Sequence, residues 1–192
     1  MSKQKLVKII IVLSLAIGIM IGGTSAFFVA SDRTHNIITT SGIAVEIIET
    51  TDAVDDNGEP VPFQNIANAV PGETYSKIPT VKNIDDGSAW VRIHIVRTAD
   101  LTNGNTVAVD DDVLKLDINT QYWLTNGDGY YYYYRALDGE QITEPLFTVV
   151  TIKDNLQNEY NGATFNLELV AQAVQTANNG DDVYAAEGWP EE

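Results

Sequence analysis

The stretch Ala89-Trp90-Val91-Arg92-Ile93-His94-Ile95-Val96-Arg97 decides the fold class. Ala89, Val91, Ile93 and Ile95 alternate with Trp90, Arg92, His94 and Val96. A period of two is that of a β-strand with one apolar face. Residues 164–176 repeat the pattern, with Phe165, Leu167, Leu169, Ala171 and Ala173 in one register and Asn166, Glu168 and Gln172 in the other. Ile43, Val45 and Ile47 alternate with Ala44, Glu46 and Ile48. Further strands are predicted at 74–84, 113–124, 129–137 and 145–153. Turn chemistry separates them: Asp56-Asn57-Gly58, Pro71-Gly72, Asn103-Gly104-Asn105, Asn126-Gly127-Asp128-Gly129, Asp138-Gly139 and Asn161-Gly162. Many strands, frequent turns and no helical period predict an all-β fold, an antiparallel sandwich or jelly roll. The acidic stretch 50–62 and the acidic tail 178–192 read as solvated loop.

The N-terminus reads as an address. Lys3, Lys5 and Lys8 precede the uncharged stretch 9–30, which passes through Gly22-Gly23-Thr24-Ser25-Ala26. A basic start, an apolar segment and a small-residue site are the layout of a secretory signal peptide. Thr24 and Ala26 suit the −3 and −1 positions, so cleavage is expected between Ala26 and Phe27. Residues 1–26 are then the signal and 27–192 one domain. The competing reading is a retained anchor, since about 20 apolar residues span a bilayer. The membrane enters only through this uncleaved segment, and a signal peptidase is the expected partner during export.

The chain of 192 residues carries a net charge of −16. Without Lys3, Lys5 and Lys8, the 11 basic residues fall to 8 against 27 acidic ones, a net −19. Such a surface repels phosphate backbones, so nucleic acid is not an expected partner. The absence of cysteine excludes a disulfide framework, a Cys-ligated zinc and a thiol nucleophile. An exported chain without cysteine suits the surface of a Gram-positive cell.

Sites of chemistry are mostly missing. His35 and His94 lie in no HExxH frame, and neither a G-x-S-x-G elbow nor a phosphate loop is present. His94, on the polar face of its strand, reads as a surface histidine. In an EF-hand frame over 52–64, Ala53 and Gln64 stand where ligands are required, so that reading fails. Asp110-Asp111-Asp112 could supply oxygens to a rim calcium, although a charge run at a turn is ordinarily just solvated. No cofactor is expected, calcium being the one alternative. Five consecutive tyrosines, 130–134, are the most unusual feature. In a strand, Tyr130, Tyr132 and Tyr134 share one face, either as sheet cover or as a stacking surface for glycans or a neighbouring subunit.

Several motifs follow one another along the chain: Gly22-Gly23-Thr24-Ser25-Ala26-Phe27-Phe28, Asn36-Ile37-Ile38-Thr39-Thr40-Ser41-Gly42, Val70-Pro71-Gly72-Glu73, Val81-Lys82-Asn83, Ala89-Trp90-Val91-Arg92, Gly129 with the tyrosine run, 139–147, and Ala171-Gln172-Ala173-Val174-Gln175. Taken in this order, they resemble the TasA and camelysin family of secreted Gram-positive proteins. The similarity is to the broad set exported through the signal peptidase SipW more than to TasA itself, whose sandwich carries longer insertions. The resemblance implies a jelly-roll-like sandwich that serves as a biofilm-matrix or surface-fibre subunit. It also implies that the segment after the cleavage site can act as a donor strand for the next subunit. Phe27, Phe28, Val29, Ile37, Ile38, Ile43 and Val45, within 27–48, supply apolar side chains for that role. The plainer alternative is that 36–48 is the first strand of its own domain.

A non-enzymatic, self-associating fibre subunit, secreted to the matrix or cell surface, is therefore the leading expectation. The second is a monomeric adhesin or fibre-accessory module that uses the tyrosine strand. An accessory or anchor protein is a further expected partner. A metallopeptidase activity, which camelysin's label suggests, has no supporting constellation in this sequence.

Overall fold

A computed structural model describes residues 43–66 and 69–190. The elements are β1 (Val45–Val54), β2 (Pro60–Pro62), β3 (Thr74–Ser76), β4 (Ile78–Asn83), β5 (Ala89–Asp100), β6 (Thr106–Ala108), β7 (Leu114–Leu116), β8 (Trp123–Leu124), β9 (Tyr130–Tyr133), β10 (Val149–Ile152) and β11 (Thr164–Gln175). A 3-10 turn at Asn158–Tyr160 precedes β11. The expected all-β antiparallel sandwich is the fold.

One layer has the order β11-β5-β9-β8, with β6 beside the end of β5. Its spine is the pairing of β5 with β11, unbroken from Gln175↔Ala89 to Thr164↔Asp100. The other layer consists of β2-β1-β4 and β3-β10-β7. These two pieces are continuous, because the chain leading into β10 runs along β4. Thr143 N–H bonds Val81 C=O, Leu146 N–H bonds Pro79 C=O, and Lys77 N–H bonds Thr148 C=O.

The alternation read from sequence sets the core. Val91, Ile93 and Ile95 of β5 and Phe165, Leu167, Leu169, Ala171 and Ala173 of β11 are buried together with Val45 and Ile47 of β1 and Val150 and Ile152 of β10. Trp123 and Tyr133 close one end, their rings 5.3 Å apart, and the Tyr133 hydroxyl donates to Glu144.

Three sequence expectations are corrected. The stretch 50–62 is a hairpin: β1 continues to Val54, turns through Gly58 at φ 83°, and returns as β2. Thr50, Thr51 and Val54 sustain the strand there, while Asp55, Asp56 and Glu59 fall in the turn and both faces near it are exposed, so no apolar alternation marked it. The strand at 74–84 is interrupted at Lys77. The segment 113–124 is two short strands, because Tyr122 and Trp123 N–H both turn back onto Asn119 C=O.

The interruption at Lys77 holds a buried ion pair. Lys77 Nζ lies 2.5 Å from Glu49 Oε1, with the two side chains 3% and 7% exposed, and 4.0 Å from the Phe63 ring centre. Removing one member of such a pair strands the other charge in the core, which costs about 3–5 kcal/mol. Lys77→Ala is therefore expected to lower unfolding free energy by about 3 kcal/mol in urea titrations. The double change Lys77→Met with Glu49→Leu should recover most of that loss; if it does not, the pair is more than a balanced burial.

Candidate functional site

The two layers meet at β11 and β1, which run close together without pairing. Backbone phase along both strands follows from a few hydrogen bonds. Thr176 N–H bonds Ser88 C=O, while Ala89 bonds Leu137 in both directions. Even-numbered residues of β11 therefore face β5, and odd-numbered ones direct N–H and C=O to the open side, as antiparallel geometry requires. On β1, Ile84 N–H bonds Ala44 C=O and Phe63 N–H bonds Glu49 C=O. Odd residues of β1 thus point away from β4, and β2 reaches only Thr50 and Val54.

Leu167, Leu169, Ala171 and Ala173 on one strand, and Val45 and Ile47 on the other, present backbone groups to the same seam. Among the described residues no strand pairs them there. The other strand edges are blunted. β2 carries Pro60 and Pro62, β8 has two residues and β7 three. By contrast β11 is twelve residues long, lacks proline and has Glu168 as its single charge. Long, flat, proline-free edges are the ones competent to accept another strand.

The opposite face of the β11-β5-β9 layer carries the tyrosines. Arg92 lies 3.7 Å from the Tyr130 ring centre and 4.5 Å from that of Trp189. Its Nε donates to Gln172 Oε1 at 2.8 Å. The Tyr132 hydroxyl donates to Asp128 Oδ2 at 2.6 Å. Over this face lies the C-terminal tail, which is a packed strap and not the solvated loop expected from sequence. Val183 and Ala186 are buried against Trp90, Tyr132 and Val174. Trp90 Nε1 donates to Asn179 C=O, and the Asn179 side chain both donates to Glu187 C=O and accepts its N–H. The reason sequence missed it is that the one apolar run, Val183-Tyr184-Ala185-Ala186, is short, lies among acidic residues and has no period to mark a packing face.

The tyrosine run therefore divides differently from a single contact surface. Tyr130 and Tyr132 do face outward, as the alternation predicts, but Tyr132 is 4% exposed beneath the strap. Tyr134 lies beyond β9 against Tyr122 and Tyr133 and is 43% exposed. His94 sits outward beside Tyr130, their rings 5.2 Å apart. Ile43 and Val45, expected as donor residues, are buried in the chain's own core, so from Ile43 onward the chain builds its own first strand. Ala26, Phe27, Phe28, Val29, Ile37 and Ile38 lie outside the described residues.

Among the described residues no group of three or more His, Cys, Asp or Glu is placed to hold a metal ion. Of the candidate calcium carboxylates, Asp111 pairs with Arg97 and Asp112 with Lys153. The chain matches no family model, and no curated protein matches it.

Asp128 ties the tyrosine strand to its turn. Burial pushes its carboxyl pKa up, but the Tyr132 hydroxyl, the Tyr130 N–H, the Asn126 side chain and the Arg92 charge outweigh that and hold it below its ordinary 3.8. A depressed carboxyl stabilises the fold fully above its unfolded pKa and loses that contribution as pH falls through the folded one. Strap docking should therefore weaken below about pH 4, read as a red shift of tryptophan emission. Asp128→Asn should remove this acid-dependent step at a cost of about 1 kcal/mol, since the group is largely solvated. An unchanged acid profile in the variant would assign the transition to another carboxylate.

Proposed function

We propose that this chain is a secreted, non-enzymatic structural subunit of an extracellular matrix or surface fibre of the TasA and camelysin kind. Export ends in cleavage between Ala26 and Phe27, and the freed segment 27–42 is donated to the seam between β1 and β11 of the next copy. The observation that carries this reading is the seam: two strand edges whose backbone groups converge, one of them long and free of proline.

The donor has matching chemistry. Phe27, Phe28, Val29, Ile37 and Ile38 each contribute about 1.5–3 kcal/mol on full burial. Each backbone hydrogen bond along the seam adds about 0.5–1.5 kcal/mol net. Donor and acceptor are different surfaces, so the contact is head to tail and propagates a filament instead of closing a dimer. The charge of −19 beyond residue 26 keeps free subunits apart.

Purified 27–192 is expected to give filaments or an oligomer ladder in light scattering and negative-stain microscopy. Removing 27–42 should leave a folded monomer. Ala171→Pro, which deletes an N–H aimed into the seam and none aimed at β5, should block polymerisation while preserving the β-sheet circular dichroism spectrum. A stable monomer at every concentration and ionic strength would sink the fibre reading.

Salt supplies a separate check. Screening relieves repulsion between like-charged subunits over a Debye length of about 8–10 Å near physiological ionic strength. The lag before assembly should shorten between low and moderate salt, monitored by light scattering. Identical lags would remove charge as the brake on assembly.

A further inference from the structure

Arg97 interrupts the apolar register of β5. It falls in phase with Val91, Ile93, Ile95 and Ala99, all buried, and its own side chain is only 10% exposed. Nη1 lies 2.8 Å from Asp111 Oδ1, a carboxylate 82% exposed at the rim. Nε is buried and has no hydrogen-bond partner.

This guanidinium lines a cavity of about 410 Å³ at one end of the sandwich. Tyr131 reaches it from the same layer, and Leu116 and Ile118 from the opposite one; Asp111, Asp112 and Lys115 stand round its mouth. The core thus stops short here, leaving an open recess between the layers that the Arg97 side chain lines. Its volume falls in the range of about 300–1,000 Å³ usual for small-ligand sites.

The lining selects the ligand class. Arg97 pairs with Asp111 and Asp112 with Lys153, so cations and carboxylates interleave round the cavity and neither sign dominates its lining. A free anion meets Asp111 and Asp112 and a chain of −16, whereas a cation meets Arg97 and Lys115. Arg97 and Lys115 offer only donors and the carboxylates only acceptors, and a hydroxyl group uses both at once. The Tyr131 ring with Leu116 and Ile118 supplies apolar walls that suit the C–H faces of a sugar ring. We infer that this cavity is a binding site for a neutral saccharide of one or a few rings. It is separate from the β1–β11 seam and does not depend on the fibre reading.

The test titrates the exported chain with glucose, maltotriose, N-acetylglucosamine and its trimer, and with succinate as an anionic probe. Calorimetry gives affinity, and saturation-transfer NMR gives the sugar protons in contact. At least one neutral sugar should bind with a Kd near or below about 1 mM. Arg97→Gln should weaken it by about tenfold. Lys115→Ala, at an exposed position that leaves folding intact, should weaken it by a few fold. Should Arg97→Gln fail to fold, Lys115→Ala and Arg97→Lys, which keeps the charge but removes the forked donors of the guanidinium, carry the comparison. No binding of any sugar, binding unaffected by these variants, or preferential binding of succinate would each overturn the assignment.

Discussion

The pairing of β5 with β11 is the constraint on which the rest of the structure depends. Its register, fixed over twelve residues, decides three surfaces at once. Odd residues of both strands turn their side chains into the core. On β5 the same odd residues direct their backbone to β9 and β6, and on β11 they direct it to the seam. A slip of one residue would carry the apolar set to solvent and the charged set into the core. The slip would also reverse which backbone groups the seam displays, so core and candidate interface are specified by one alternation.

The outer face follows from the same register. Trp90, Arg92 and His94 are even-numbered and therefore outward, where Tyr130 and Tyr132 of β9 join them. Left open, this would be a large aromatic patch of the kind that drives unspecific association. The strap covers it with three apolar side chains, while its acidic groups remain in water. The acidic character of the tail is thus what faces solvent once the apolar positions are used.

Legibility in the sequence follows the strength of alternation. The segments 89–97 and 164–176 announce their face because five or more consecutive positions obey period two. The acid-rich hairpin at 50–62 conceals its strand because its side chains face water on both sides near the turn, and burial is what makes a strand readable. β7 and β8 are too short to show a period, and the turn at Asn119 that divides them relies on a backbone carbonyl that any residue has. The packing of the strap depends on three separated residues meeting a face built 90 positions earlier, which no local pattern records. Arg97 is the opposite case: its place in the apolar register is visible in the sequence, and only the cavity around it gives that place a meaning.

A buried cation beside an unfilled space is a local weakness, and its position explains why the fold tolerates it. Arg97 lies on the strand with the most extensive pairing, held by β11 on one side and by β6 on the other, where Val109 N–H bonds its carbonyl. Backbone pairing there is independent of side-chain packing, so the core can end early without loosening the sheet. The Lys77–Glu49 pair is placed in a similar way. It sits at the break between β3 and β4, where Lys77 reaches Glu49 of β1, the strand that β4 pairs along six positions. Both buried ions rest on strands whose pairing is already established, and what distinguishes Arg97 is the open space beside it, which gives room for the proposed ligand.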